Sequence, residues 1–218
     1  MTDPVTLPQK LDLFPLSTVL FPGMPLPLRI FEPRYHRMMA ACLEDEQIFG
    51  VCLIKEGTEV GPPAIPHSIG TAARILEHRS LPDGQLVLVG QGVARFRIQR
   101  LVQEQPFIKA EVTPYPLMGG APRPDEQRLR EQFAALRDTL RRLTRTEARA
   151  GEELPAEVPA GLLPFVAAGS LALPVAIQQQ LLDLADRGEL VSALLPHLES
   201  RLALLDEALR RRQPPSAQ

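Results

Sequence analysis

The sequence reads as an α+β chain, with a mainly β amino-terminal barrel holding one inserted helix and an α-helical bundle after it. Three observations carry that reading. Leu13 to Tyr35 threads Pro15, Pro22, Pro25, Pro27 and Pro33 through an apolar run that has no charge before Arg29. Up to about residue 113, apolar and polar residues then alternate with the period of a strand. Beyond a Pro- and Gly-rich stretch ending at Pro124, apolar residues recur at helical spacing. The expected organisation is a barrel domain over residues 1–118, a linker over 119–124, a helical subdomain over 125–212 and a disordered tail over 213–218.

The opening run cannot be a regular helix or a central strand. Proline fixes its own φ and brings no ladder donor, so the run must weave short extended pieces through an apolar environment. Pro22 and Gly23 predict a turn, and Glu32 followed by Pro33 predicts a helix entry. That helix extends over Pro33 to Glu46, with Tyr35, Met38, Met39, Cys42 and Leu43 on one apolar stripe. Glu44, Asp45 and Glu46 then form a solvated, fraying end at the unfavourable pole of the helix dipole.

Ile48 to Ile54 is a continuous apolar run of strand length. Residues 57–68 predict a loop, broken by Gly57, Gly61, Pro62, Pro63 and Pro66. Strands over Ile69 to Arg79 and Gln85 to Gly90 flank an Asp83, Gly84 hairpin turn, and Gly90 to Gly92 mark a bulge. After it Ala94, Phe96 and Ile98 fall on one face and Arg95, Arg97 and Gln99 on the other. Phe107 to Thr113 repeats the pattern with Ile108, Ala110 and Val112 inward, which predicts a closed or nearly closed small barrel.

In the second half, Leu129, Phe133, Leu136, Leu140 and Leu143 form the seam of one helix, and Leu195, Leu198, Leu202, Leu205 and Leu209 form its complement on the last helix. Asp186 with Glu189 three residues on resembles a capping box, and Pro196 predicts a kink. Arg210, Arg211 and Arg212 suit the negative pole of that helix as a solvated terminus. Val158 to Leu182 carries no charge, but Pro164, Gly169, Ser170 and Pro174 divide it into two short buried helices rather than a membrane span.

Composition excludes several function classes. Net charge is −2, with 11 Lys and Arg against 12 Asp and Glu up to residue 118 and 13 against 14 beyond it, so no region offers the basic surplus that nucleic-acid binding needs. The basic residues are arginines apart from Lys10, Lys55 and Lys109, which reads as composition bias. Cys42 and Cys52 make neither a disulfide framework nor a zinc motif, and are expected to be half-buried thiols in a reducing cytoplasm. The amino terminus shows no secretory signal pattern.

The segments LFPL at Leu13 to Leu16, VLFPGMPLPL at Val19 to Leu28 and IFEPRY at Ile30 to Tyr35 resemble the start of the Lon protease amino-terminal domain. The same module occurs in cereblon and in RING-finger proteins with a Lon-type domain, and the likeness is greatest to small bacterial proteins that contain the domain alone. It continues through IGTAARI, PDG and GVARFRI, and then through PFVAAGSLALP and the QQQLLDLADRGELVSALLPHLESRLALL stretch. Two departures are Leu173 where such proteins place a hydroxyl cap, and Pro196 within the last helix. The resemblance implies a PUA-like barrel and a module that recognises protein substrates, including unfolded segments. It also implies that the ATPase and the Ser/Lys protease, which lie downstream in such enzymes, are missing from this chain.

The residues agree with a non-catalytic reading. There is no phosphate-cradling GxxxxGK[ST], and Gly90 to Gly92 lacks the third glycine of a dinucleotide loop. No serine sits in a GxSxG elbow. A catalytic Cys42 or Cys52 would need His36, His67, His78 or His197 brought beside it by the fold. Catalytic, cofactor and metal sites are therefore expected to be absent. The expected function is binding of an unfolded polypeptide or protein partner, with a separate ATP-dependent protease as a candidate associate. RNA binding by analogy with other PUA-like barrels is the alternative, and an unrecognised hydrolase a more remote one. The recognition face is expected near Pro22, Gly23, Phe31, Glu32, Arg34 and Tyr35, across the cleft between barrel and helices, or along an exposed strand edge able to add an extended chain. Arg34 pairing with Glu32 and Tyr35 lying in the core are the structural roles to weigh against recognition.

Overall fold

Leu11 and Leu13 enter one apolar cluster while Phe14 and Leu16 enter another, so the first strand, β1 (Lys10–Leu16), lies between two packed layers. The computed structural model describes residues 6–44, 48–61, 64–119, 124–144 and 157–212. Its strands are β1, β2 (Pro25–Ile30), β3 (Ile48–Glu56), β4 (Ile65–Pro66), β5 (Ile69–Ser80), β6 (Leu86–Gln103) and β7 (Ile108–Pro114). The helices are α1 (Pro33–Glu44), α2 (Pro124–Thr144), α3 (Leu163–Gly169), α4 (Val175–Asp183) and α5 (Arg187–Arg212).

The strand pairings close on themselves. β1 runs antiparallel to β7, β7 to β6, β6 to β5 and β5 to β3, and β3 returns parallel to β1 with Phe14 opposite Val51. This parallel pairing joins strands separated by β2 and α1, the crossover that a parallel pair requires. Inside the ring lie Leu11, Leu13, Cys52, Ala72, Phe96, Ile108, Ala110 and Val112. On the other face of β1, β3 and β5, the α1 stripe of Tyr35, Met38, Met39 and Cys42 packs with Phe14, Phe49, Val51 and Ile75. Burial on both faces accounts for the unbroken apolar run of β3.

Several details differ from the sequence expectations. The loop expected over 57–68 contains β4, in which Ile65 and Pro66 pair with Glu56 and Ile54; at a sheet edge the missing proline donor can face away from the ladder. Cys42 and Cys52 are buried rather than half-buried. Arg95, expected on a polar face with Arg97 and Gln99, is only 3% exposed. It donates from Nη1 to the Leu182 carbonyl at 2.5 Å, at the end of α4, and its guanidinium lies 4.6 Å from the Tyr115 ring centre. Burial pulls its pKa down to about 10, which leaves it charged at neutral pH. The helix expected to reach Glu46 is described to Glu44; Asp45, Glu46 and the 213–218 tail lie outside the described residues.

Two compact units result, Met1–Pro116 with Leu173–Asp183, and Leu117–Ala172 with Leu184–Gln218. α4 thus belongs with the strands, where Gln179 Nε2 donates to the Ile69 carbonyl at 3.2 Å and the Tyr115 hydroxyl to the Asp183 carbonyl at 2.8 Å. The chain passes between units after Pro116, Ala172 and Asp183; of the linker expected over 119–124, residues 120–123 lie outside the described set. The charge-free run Val158 to Leu182 holds α3 and α4, and no described helix is long and apolar enough to cross a membrane.

In the second unit α2 packs along α5, with Leu129, Phe133, Leu136, Leu195 and Leu198 buried between them. Asp186 caps α5 as expected, its Oδ1 accepting from the backbone N–H of Gly188 at 2.7 Å and Glu189 at 3.0 Å. Arg187 grips Glu126 with both arms of its fork, and its Nη2 also donates to the Ala160 carbonyl at 2.7 Å. Those hydrogen bonds hold the Glu126 carboxyl below its usual range.

Within the first unit, the proline-rich run is held by contacts from β5 and β6. Thr71 Oγ1 donates to the Leu20 carbonyl at 2.6 Å. The Gly92 N–H donates to Met24 at 2.9 Å, and its carbonyl accepts from Gly23 N–H at 2.8 Å. A Cβ at Gly92 would stand 2.4 Å from the Phe21 carbonyl oxygen, so only glycine lets the two backbones approach this closely. Gly92→Ala is expected to destabilise the protein by about 1–3 kcal/mol, the range for forced overpacking. Its urea midpoint should fall, while Gly161→Ala, with nothing within 4 Å, should leave it in place.

A second expectation concerns the Glu126–Arg187 pair. A carboxyl with a depressed folded pKa adds stability above its unfolded pKa and loses it as pH falls through the folded value. Glu126→Gln should cost about 2 kcal/mol at pH 7. Urea titrations at pH 7 and pH 3 should show the gap between wild type and variant closing in acid.

Candidate functional site

Of the residues expected at a recognition face, Pro22 and Tyr35 are buried, Gly23, Glu32 and Arg34 are half-buried, and Phe31 is exposed. Pro22 is buried, and Gly23, with φ of 85°, completes the turn fastened to Gly92. Tyr35 is 6% exposed and meets Phe14 edge to face, with ring centres 4.2 Å apart. Burial pushes its phenol up, against the lowering effect of the Arg34 guanidinium. Phe31, at the corner between β2 and α1, is 57% exposed.

Arg34 has more partners than its sequence position suggested. Its Nη2 lies 3.0 Å from the Glu32 carboxylate and donates to the Glu59 carbonyl at 3.1 Å, while its guanidinium sits 4.5 Å from the Tyr35 ring centre. Glu59 in turn accepts the Ser17 backbone N–H on its carboxylate. The fold therefore gathers three separate stretches, at Ser17, at Phe31 to Tyr35 and at Glu59 to Val60. Val60, 58% exposed, was not singled out from the sequence; its only signal there is an apolar side chain inside a Gly- and Pro-rich loop.

Among the described residues no group of three or more His, Cys, Asp and Glu could hold a metal ion. Cys52 lies 1% exposed, and burial pushes its thiol up, away from the thiolate that nucleophilic attack needs. Along the sheet edge, β2 is paired on one side, by β6, with Pro25 opposite Gln91 and Ile30 opposite Leu86.

Comparison with known proteins shows the family and the fold. The model of the ATP-dependent protease La (LON) substrate-binding domain matches residues 10–208. Lon protease 2 of Myxococcus xanthus is 29% identical over 95% of this chain and 24% of its own length. The Lon protease of Flavobacterium johnsoniae is 31% identical over 69% of this chain and 18% of its own. The chain thus spans about a quarter or less of these curated relatives. Among solved structures, the Lon N-terminal domain protein from Xanthomonas campestris superposes with a TM-score of 0.59 at 29% identity, covering 89% of this chain and 97% of that one. The N-terminal domain of the Mycobacterium avium complex Lon protease, at 19% identity, shares the fold with a TM-score of 0.65, over 87% of this chain and 98% of its own. A family match over most of the chain, joined to that common fold, means that this protein belongs to the Lon substrate-binding domain family.

Proposed function

We propose that this chain is a non-catalytic, polypeptide-binding module that takes unfolded or extended protein segments. The observation that carries the reading is Phe31, a large aromatic held 57% exposed between the buried Ile30 and Tyr35. Exposed aromatics on a rigid support are the usual anchors of a protein interface, because they bury much apolar area at little cost in side-chain entropy. Phe31 is then the contact residue, Glu32 and Arg34 shape the surface beside it, Tyr35 anchors the start of α1 in the core, and Pro22 and Gly23 fix the turn at the other end of β2.

The family description, substrate binding in an ATP-dependent protease, supports a protein partner of this kind. In this reading the ring of strands is a PUA-like barrel, the second unit a helical bundle, and the module works in the cytoplasm. A separate ATP-dependent protease is the associate that would act on what the module captures.

Fluorescence anisotropy with labelled, reduced and carboxymethylated lactalbumin, a permanently unfolded chain, tests the reading. Wild-type protein should bind, and Phe31→Ala should weaken binding about tenfold, the loss expected at an interface anchor. Wild-type protein that leaves the anisotropy flat up to millimolar concentration would remove the proposal.

A further inference from the structure

We infer that Arg34 is a positioning residue: it clasps the loop from Gly57 to Gly61 against the start of α1 and so sets where Val60 stands relative to Phe31. This rests on the reading of Phe31 as a contact residue and adds a second recognition element to it. The loop leaves β3 at Gly57, with φ of 101°, and reaches Gly61, with φ of 109°, two conformations that ordinary side chains resist. Between these two glycines the main chain carries Thr58, Glu59 and Val60, tightened by a Thr58 Oγ1 to Val60 carbonyl bond of 2.7 Å. That bond closes the loop upon itself and fastens it to nothing else.

Among the described residues, two hydrogen bonds tie the loop to other segments, and both converge on Glu59. Its carbonyl accepts from Arg34 Nη2 at 3.1 Å, and its carboxylate accepts from Ser17 N–H. Arg34 is well placed to act as a fixed post. Its side chain is 14% exposed, the Glu32 carboxylate holds it at 3.0 Å, and the Tyr35 ring beneath it lies 4.5 Å away. Phe31 and Val60, 57% and 58% exposed, each sit one residue from a group bonded to this post, Phe31 beside Glu32 and Val60 beside Glu59. An extended polypeptide with apolar side chains would meet both residues, so their spacing becomes a property of the site.

Arg34→Met tests the inference, because it keeps an unbranched apolar stem over Tyr35 and removes every donor. Amide hydrogen exchange at Ser17, whose N–H is bonded to the Glu59 carboxylate, should quicken about tenfold, the signature of a loop released to local opening. Binding of reduced, carboxymethylated lactalbumin should weaken about fivefold. Phe31→Ala should weaken binding with no change in exchange at Ser17, which separates contact from positioning. Should Arg34→Met fail to fold, Arg34→Lys is measured instead; it keeps the charge but lacks the planar fork. Unchanged exchange at Ser17 would overturn the clasp. Faster exchange with full affinity would overturn the positioning role. A wild-type protein that binds no unfolded chain would defeat the function proposed above, and the positioning role with it, while the exchange comparison still decides whether the clasp exists.

Discussion

The close approach between the proline-rich run and β6 at Gly92 is the constraint from which the rest of the first unit follows. A run with prolines at 15, 22, 25 and 27 cannot satisfy its own backbone in a helix or a central strand, yet Leu20 and Phe21 are 4% and 1% exposed. Their carbonyls must find donors outside a helix or a sheet ladder. Thr71 Oγ1 supplies one to Leu20, Met24 N–H supplies one to Phe21, and Gly92 closes the turn with one bond in each direction. With the turn fastened there, β2 enters the sheet in register on β6, and the chain emerges at Phe31 pointed along α1. Any side chain at Gly92 displaces Phe21, and with it the entry of β2.

Three arginines show why that residue recurs at the joints of this fold. Arg34 serves a carboxylate, a carbonyl and an aromatic face; Arg95 serves the last turn of α4 and the Tyr115 ring; Arg187 serves both Glu126 oxygens and the Ala160 carbonyl. Each task needs several donors in a fixed plane or a flat cation over a ring, and a lysine ammonium offers neither. The scarcity of lysine, read from the sequence as composition bias, has at these positions a structural reason.

Most of the architecture was legible because it rests on local rules. Alternation placed Ile108, Ala110 and Val112 inside the ring, the apolar stripe placed Tyr35, Met38, Met39 and Cys42 on the covered face of α1, and Asp186 marked the start of α5. What could not be read depended on which segments meet in space. Arg95 alternates correctly onto an outward face, and nothing near it in sequence says that α4, some 80 residues later, lies over that face. The candidate site divides in the same way. The turn at Pro22 and Gly23 and the Arg34 to Glu32 pair are local and were foreseen, whereas the Glu59 contact spans 25 residues and leaves no trace in the spacing of either segment.

The same backbone logic bears on how a polypeptide would be held. β2 is the edge that the opening run presents, and strand addition there would need donors and acceptors alternating along its free side. In an antiparallel pair, alternate residues direct their N–H and C=O toward the partner. Gly92 bonds to Met24, so Leu26, Leu28 and Ile30 share the side facing β6, and Pro25, Pro27 and Arg29 face away. The free side then has three carbonyls and a single N–H, that of Arg29, whose side chain is drawn to Gln85 and Asp83 at the next turn. An added strand would leave its own acceptors facing prolines. That edge is guarded by its prolines, and a polypeptide bound as proposed would instead be gripped through side chains, with Phe31 exposed at the corner between β2 and α1.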